Sequence, residues 1–130
     1  MYDAVTLGIR VTVEPFFIEE QSQPPDTRWM FGYRITISNG RREPVQLLSR
    51  HWRITDARGH STEVRGQGVV GKQPRIEPGA SFEYTSGAPL ATSSGIMAGS
   101  YRMVTDKGAV LDVDIPTFSL DTPGHRSRPN

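Results

Sequence analysis

Apolar and polar residues alternate along two stretches of this chain, at residues 5–13 and 29–37. The odd positions of both stretches are apolar: Val5, Leu7, Ile9, Val11, Val13, Trp29, Phe31, Tyr33, Ile35 and Ile37. Successive side chains of a β-strand point to opposite faces, so this period of two is typical of a strand with one buried face. Each stretch therefore predicts one half-buried strand, and together they favour a β protein.

Shorter alternating runs predict five further strands, which brings the total to about seven. They lie at residues 45–54, 62–65, 82–84, 101–103 and 110–115. The pair Leu47-Leu48 interrupts the alternation in the first of them and predicts a β-bulge or a change of sheet. Trp52 is expected in the core, whereas His51 and Arg53 are expected on the opposite face.

Turn-forming residues separate the predicted strands. Asn39-Gly40 follows the second long strand and predicts a tight hairpin, because both residues tolerate a positive φ angle. Residues 56–59 and 106–108 have similar turn chemistry, and Pro78-Gly79 suits the centre of a type II turn.

The pattern predicts an all-β fold, an antiparallel β-sandwich in one domain over residues 1–130. A length of 130 residues suffices to bury a core without disulfides or metal, and the chain has no cysteine. No segment has a convincing helical period. Residues 19–27 form a predicted polar loop, and a flexible tail is expected from about residue 123.

Positive charge is concentrated in the middle of the chain. The net charge is only +1, but residues 28–75 contain ten basic and three acidic side chains. The basic residues nearest the centre are Arg41, Arg42, Arg50, Arg53, Arg58, Arg65, Lys72 and Arg75. This distribution allows a site for an anionic partner, and it equally allows solvated strand faces.

Within this basic region, Gly66, Gly68 and Gly71 have the G-x-G-x-x-G spacing of dinucleotide-binding loops. Such a loop must lead into a helix, but Pro74 and Pro78 follow and cannot continue one. A phosphate-binding P-loop is also excluded, because the Gly-Lys pair is followed by glutamine rather than serine or threonine.

Two interpretations of the glycine loop remain. Its backbone N–H groups form a nest that binds phosphate, pyrophosphate or a nucleotide, with charge from Arg65 and Lys72. Alternatively, its glycines only allow tight turns. The residues of the first interpretation are Arg65, Gly66, Gly68, Gly71 and Lys72.

Metal and catalytic motifs are not recognisable. The histidines at 51, 60 and 125 lack the spacing of a metal motif, and Asp112 and Asp114 read as a solvated strand face. No nucleophile, base and acid can be matched by spacing. We therefore expect no metal, no cofactor and no enzymatic activity. A binding domain is favoured, with His51 and Arg53 on its interaction surface.

The first residues do not show the pattern of a secretory leader, and no apolar run is long enough to cross a bilayer. A cytoplasmic location without membrane insertion is expected. The partner is expected to be an unidentified protein, with a phosphate-containing anion as a further possibility, and nucleic acid is not expected.

Three segments resemble the bacterial ApaG family, also called CorD: SRHW at 49–52, the block GQGVVGKQPRIEPGASFEYTSGAPLATSSGIMAGSYRM at 66–103, and IPTFSLD at 115–121. The resemblance implies a fibronectin-type-III-like β-sandwich. It also implies an association with cobalt and magnesium tolerance or efflux. Related domains in a eukaryotic F-box protein and in a protein that interacts with DNA polymerase delta suggest protein interaction. Without a membrane span, the role in cation efflux would be accessory.

Overall fold

The computed structural model describes residues 1–19 and 28–123, and these residues form nine β-strands. The predicted loop at 19–27 and the predicted tail lie almost entirely outside the described residues. The strands are β1 (Tyr2–Thr6), β2 (Ile9–Phe17), β3 (Trp29–Asn39), β4 (Val45–Asp56), β5 (Ser61–Gln67), β6 (Arg75–Ile76), β7 (Ser81–Leu90), β8 (Ser94–Thr105) and β9 (Val110–Asp121).

The strands pair into two antiparallel sheets that pack face to face. The first sheet has the order β1-β2-β3-β7. The second has the order β5-β4-β8-β9, and the short β6 also pairs with β4. The predicted all-β antiparallel sandwich is confirmed, although the described residues form nine strands where the sequence predicted about seven.

The prediction of one strand over residues 5–13 was wrong, because the chain reverses at Leu7-Gly8. Thr6 pairs with Ile9 across this turn, and both turn residues have positive φ angles, 53° and 84°. Two residues with positive φ match the twist of a tight hairpin. Val5 and Leu7 consequently lie in a separate edge strand and its turn, and both are exposed rather than buried.

The structure confirms the predicted bulge in β4 and three of the predicted turns. The bulge in β4 is confirmed, since its pairing with β8 shifts between Leu47 and Ser49. Gly59, Gly79 and Gly108 all have positive φ in the predicted turns. The N–H of Ala80 donates to the carbonyl oxygen of Glu77 at 2.9 Å, which closes the turn around Pro78-Gly79.

The predicted hairpin at Asn39-Gly40 was wrong. β3 belongs to the first sheet and β4 to the second, so this segment crosses between sheets instead of reversing within one. Asn39 is buried, and its side-chain amide donates to the carbonyl oxygens of Glu43 and Ile76, both at 2.9 Å. Its side-chain oxygen accepts from the N–H of Arg41 at 2.9 Å. The asparagine holds the crossover together instead of providing a positive φ.

Asn39→Ala is expected to lower the free energy of unfolding by about 2 kcal/mol, because it leaves buried backbone groups without partners. Urea denaturation followed by circular dichroism measures the change. Ser38→Ala, which removes an exposed hydroxyl bonded to Ser81, is the control and should change stability by less than about 0.5 kcal/mol. Equal losses in the two variants would contradict the proposed role of Asn39.

The centre of the sandwich contains an aromatic cluster formed by Tyr33, Trp52 and Phe118. The ring centroids of Tyr33 and Trp52 are 5.3 Å apart, and those of Trp52 and Phe118 are 6.0 Å apart. Trp52 is 3% exposed, which confirms its predicted place in the core. Tyr33 comes from the first sheet and the other two from the second, so the cluster joins the two layers.

The two sides of the sandwich differ. On one side, β1 and β2 pack against β9. On the other side, β5 and β7 are the edge strands of their sheets, and β5 is exposed at every residue except the half-buried Gly66. The sandwich is therefore more open along β5 and β7, and one of its cavities lies there.

Candidate functional site

The outer face of the second sheet carries two rows of polar side chains that cross its four main strands. Pairing aligns the first row as Arg65, His51, Ser100 and Asp114. It aligns the second as Gln67, Ser49, Arg102 and Asp112. Each row has one serine at a middle position, and the face forms an open groove of about 540 Å³.

Glu63 organises the β5 side of this face. Its carboxylate is 2.9 Å from the Nε2 of His51 and accepts from Arg53 and Arg65, each at 3.3 Å. The hydrogen bonds from His51 and Arg65, together with the charge of Arg53, hold the pKa of this carboxyl below its usual value. His51 and Arg53 thus share the outer face, as predicted, and both contact the same carboxylate.

The β9 side of the groove is acidic. Arg102 donates from Nε and Nη2 to the two carboxylate oxygens of Asp112, at 3.0 and 3.3 Å. This bidentate pair lowers the pKa of Asp112. Asp114 is exposed at the end of the neighbouring row. The face therefore runs from basic groups on β4 and β5 to acidic groups on β9.

The glycine loop is a tight turn rather than the entry to a helix, which agrees with the exclusion of a dinucleotide fold. Val69 and Lys72 exchange backbone hydrogen bonds in both directions at 2.8 Å. Val70 and Gly71 occupy the centre with φ angles of 43° and 78°. The N–H of Gly68 donates to the carbonyl oxygen of Leu48 at 2.9 Å. Three of the loop's N–H groups are therefore engaged within the protein.

Each glycine of the loop meets a different requirement. Gly68 has a positive φ of 66°, and a Cβ there would lie 2.3 Å from the carbonyl oxygen of Lys72. Gly71 also has positive φ but has open space around it. Gly66 belongs to β5, and a Cβ there would lie 2.8 to 3.0 Å from the guanidinium of Arg50. The fingerprint spacing thus combines two turn glycines with one that makes room for an arginine.

Arg50 was not among the predicted site residues, yet it points into the space between the sheets. It pairs across the sheet with the fully buried Tyr101 and lies on the same face as Trp52. The bulge at Leu47–Ser49 shifts the alternation of β4, so the even positions face inward after it. Arg50 lies two residues before the buried Trp52, and alternate residues of a strand share a face. This spacing is the signal that would have placed Arg50 on the inner face.

Below the glycine turn, the inter-sheet space forms a cavity of about 310 Å³ on the side of β5 and β7. Its lining is mainly polar and consists of Tyr33, Arg50, Trp52, Gln67, Val69, Val70, Gly71, Tyr84 and Ser86. Nη1 of Arg50 donates to the carbonyl oxygens of Gln67 and Gly68, at 3.0 and 2.8 Å. These bonds hold the guanidinium against the turn.

Tyrosine hydroxyls complete this polar cluster. The hydroxyl oxygens of Tyr84 and Tyr101 are 2.5 Å apart, and Ser86 is the cross-strand partner of Tyr33. Burial raises the pKa of all three tyrosines, and the effect of burial exceeds that of the nearby Arg50 charge. The phenols therefore stay neutral at physiological pH and act as hydrogen-bond donors.

Metal ligands do not gather in the part of the chain that the structure describes. Residues 1–19 and 28–123 contain no group of three or more histidine, aspartate or glutamate side chains that could hold a metal ion. His60 lies near Asp56, whereas His51 lies near Glu63 on the other strand. Neither arrangement adds a third ligand.

Among residues 1–19 and 28–123, no helix is long and apolar enough to cross a membrane.

The fold and its surfaces define a β-sandwich domain with a charged outer face and a polar cavity between its sheets. The ApaG domain family matches residues 19–105, from the end of β2 through β8. The chain belongs to the ApaG family. Protein ApaG of Brucella suis biovar 1 and of Brucella abortus are each 59% identical to it over 126 residues, with 97% of both chains covered.

Solved structures agree with this assignment. A Bordetella pertussis protein described as ApaA is 44% identical, with a TM-score of 0.85, and 93% of this chain and 95% of that chain are covered. A structural genomics target is 45% identical with a TM-score of 0.88, covering 95% of this chain and 93% of the other.

Proposed function

We propose that this ApaG-family chain is a non-enzymatic domain that binds a protein partner through the outer face of its second sheet. The observation that supports this proposal is the polarised array of charges, with His51, Arg53 and Arg65 around Glu63 at one side and Asp112 and Asp114 at the other. Arrays of opposite charge orient a partner that carries the complementary pattern.

The array is also ordered before any partner binds. Glu63 links three basic side chains, and Asp112 is held by Arg102 through two hydrogen bonds. Side chains that are already held in place lose less conformational freedom on association. This ordering lowers the entropic cost of binding a partner at this face.

The link to cobalt and magnesium tolerance implied by the family resemblance fits an accessory role. The described residues gather no metal site, so the domain would act on cation handling through its partner. A partner engaged in cation transport or its regulation is the simplest form of this proposal. We propose that the domain acts in the cytoplasm, where it would contact the cytoplasmic part of such a partner.

Replacing both His51 and Arg53 by alanine is expected to reduce partner capture from bacterial extract by at least about tenfold, as loss of interfacial charge contacts does. Quantitative mass spectrometry of the captured proteins measures the change. Arg34→Ala with Glu14→Ala is the matched control, because this exposed pair lies 3.8 Å apart in the other sheet. Growth of a strain lacking its own ApaG protein, with added cobalt, tests the same variants in the cell.

Unchanged capture by the His51 and Arg53 variant would contradict this placement of the interface. Equal loss in the Arg34 and Glu14 control would contradict it as well. A variant that loses capture yet restores growth in cobalt would separate the interaction from the cation phenotype.

The second candidate function is binding of phosphate, pyrophosphate or a nucleotide by the loop of Gly66, Gly68 and Gly71, with Arg65 and Lys72. One observation favours it. Among the described residues, the N–H groups of Val70 and Gly71 donate to no backbone acceptor, and Lys72 beside them is exposed. Two free amides and a lysine resemble part of an anion nest. Arg65 lies farther away on the outer face, where it donates to Glu63.

A further inference from the structure

We infer that the cavity between the sheets binds a small phosphate monoester, with its phosphate on Arg50 and its apolar body beside Val70. The cavity lies beneath the glycine turn, inside the sandwich. The inference therefore does not rest on either function proposed for the outer surface. The cavity shares the glycine turn with the second of those functions, but its ligand contacts are Arg50 and the tyrosine hydroxyls rather than Arg65 and Lys72.

The first argument is an unpaired charge at an inward-facing position. Arg50 stands in a row with the fully buried Tyr101 and Val113. Within residues 1–19 and 28–123, no carboxylate forms an ion pair with it. Arg50 is half-buried, and the nitrogens of its guanidinium that make no hydrogen bond stay accessible from the cavity. A bound anion would supply the missing partner.

The second argument is that Arg50 is positioned and still has donors available. Its Nη1 donates to the carbonyl oxygens of Gln67 and Gly68. Its Nε and Nη2 have no hydrogen-bond acceptor among the described residues. This remaining edge of the guanidinium can donate two parallel hydrogen bonds to an oxyanion. Gly66 leaves the space that the guanidinium occupies.

The third argument concerns the shape of the ligand. Besides Arg50, the cavity presents the hydroxyls of Tyr33, Tyr84 and Ser86 and reaches the backbone of Gly71. These donors come from both sheets, so they surround a tetrahedral group better than a planar carboxylate. A phosphate monoester has three terminal oxygens to accept from them.

The size of the cavity and the one exposed apolar side chain at its rim limit the rest of the ligand. Val70 is half exposed and contributes apolar surface, whereas Trp52 and Val69 are almost fully buried. A volume of about 310 Å³ lies at the lower end of ligand sites. A body the size of one aromatic ring fits this space, and a dinucleotide does not.

Titration of isotopically labelled protein with phenyl phosphate tests the inference. Saturable shifts are expected in the amides of residues 66–71 and of Tyr84 and Ser86. Inorganic phosphate should bind more weakly because it lacks the apolar body, and so should benzoate because it is planar. No saturable shift at millimolar phenyl phosphate, or tighter binding of benzoate, would overturn the inference.

Variants assign the site. Arg50→Gln should weaken phenyl phosphate binding at least about tenfold, whereas Arg53→Gln makes the same charge change on the outer face and should have no effect. If Arg50→Gln disturbs the turn, Gly66→Ala and Tyr84→Phe give independent tests. The first displaces the guanidinium and the second removes one hydroxyl, so each should weaken binding several-fold. Unchanged binding in both would overturn the inference.

The same titration separates this cavity from the outer side of the glycine loop. Arg65→Gln with Lys72→Gln should leave phenyl phosphate binding unchanged if the cavity holds the ligand. Loss in this double variant with retention in Arg50→Gln would assign the ligand to the outer loop and overturn the inference.

Discussion

Trp52→Ala is expected to lower the free energy of unfolding by about 3–5 kcal/mol, which makes it the most damaging single truncation proposed for this protein. The indole is 3% exposed and contacts Tyr33 and Phe118 at ring-centroid distances of 5.3 and 6.0 Å. Its loss opens a cavity at the point where the two sheets are joined. Chemical denaturation followed by far-ultraviolet circular dichroism measures the change.

Trp52→Phe is the control for this experiment. Phenylalanine keeps an aromatic ring between Tyr33 and Phe118 and leaves a smaller cavity. Its cost should be less than half that of the alanine variant, because the loss grows with the volume left empty. Equal costs for the two substitutions would contradict the central packing role of the indole.

Gly68→Ala is expected to lower the free energy of unfolding by about 3 kcal/mol, from backbone strain and a clash. The φ angle of Gly68 is 66°, and a Cβ would lie 2.3 Å from the carbonyl oxygen of Lys72. That oxygen accepts the N–H of Val69, so the neighbour cannot move without opening the turn. Thermal and urea unfolding both report the loss.

Gly71→Ala in the same loop provides a matched comparison. Its φ angle is 78°, but nothing lies within 4 Å of its added Cβ. Only the conformational cost remains, about 1–2 kcal/mol. If the two alanine variants were equally stable, the contact with Lys72 would not constrain the turn. A larger loss at Gly71 would contradict the assigned geometry.

These two glycines also show how far a sequence motif can be interpreted. The spacing of Gly66, Gly68 and Gly71 matches a nucleotide fingerprint, and Pro74 and Pro78 were sufficient to exclude the required helix. The sequence could not show that the three glycines serve different ends. The difference between the glycines depends on the tertiary structure, in which the carbonyl oxygen of Lys72 lies beside Gly68 and the guanidinium of Arg50 lies beside Gly66.

The candidate interaction surface was partly predictable. His51 and Arg53 flank Trp52, so alternation placed them opposite the core. Their shared contact with Glu63 depends on the register between β4 and β5, which local pattern does not specify. Asp112 and Asp114 were recognisable in the sequence as one strand face. Their alignment with the polar rows of β4 and β5 depends on β8 lying between β4 and β9.

The sequence by itself determined the class of fold, most of the strands and part of the core, including Trp52. Period-two patterns and turn residues are local, and burial of one strand face follows directly from them. The local pattern predicted a strand through Leu7-Gly8 and a hairpin at Asn39-Gly40, and both predictions were wrong. The same residue types suit a strand, a hairpin or a crossover between sheets.

Only the tertiary structure decided that Arg50 faces inward with Tyr33, Tyr84 and Tyr101 around it. A one-residue bulge at Leu47–Ser49 reverses which positions of β4 point to the core, and the tyrosines reach Arg50 from three other strands. Such a site arises from sheet packing and register, since residues far apart in sequence meet only when both layers are assembled.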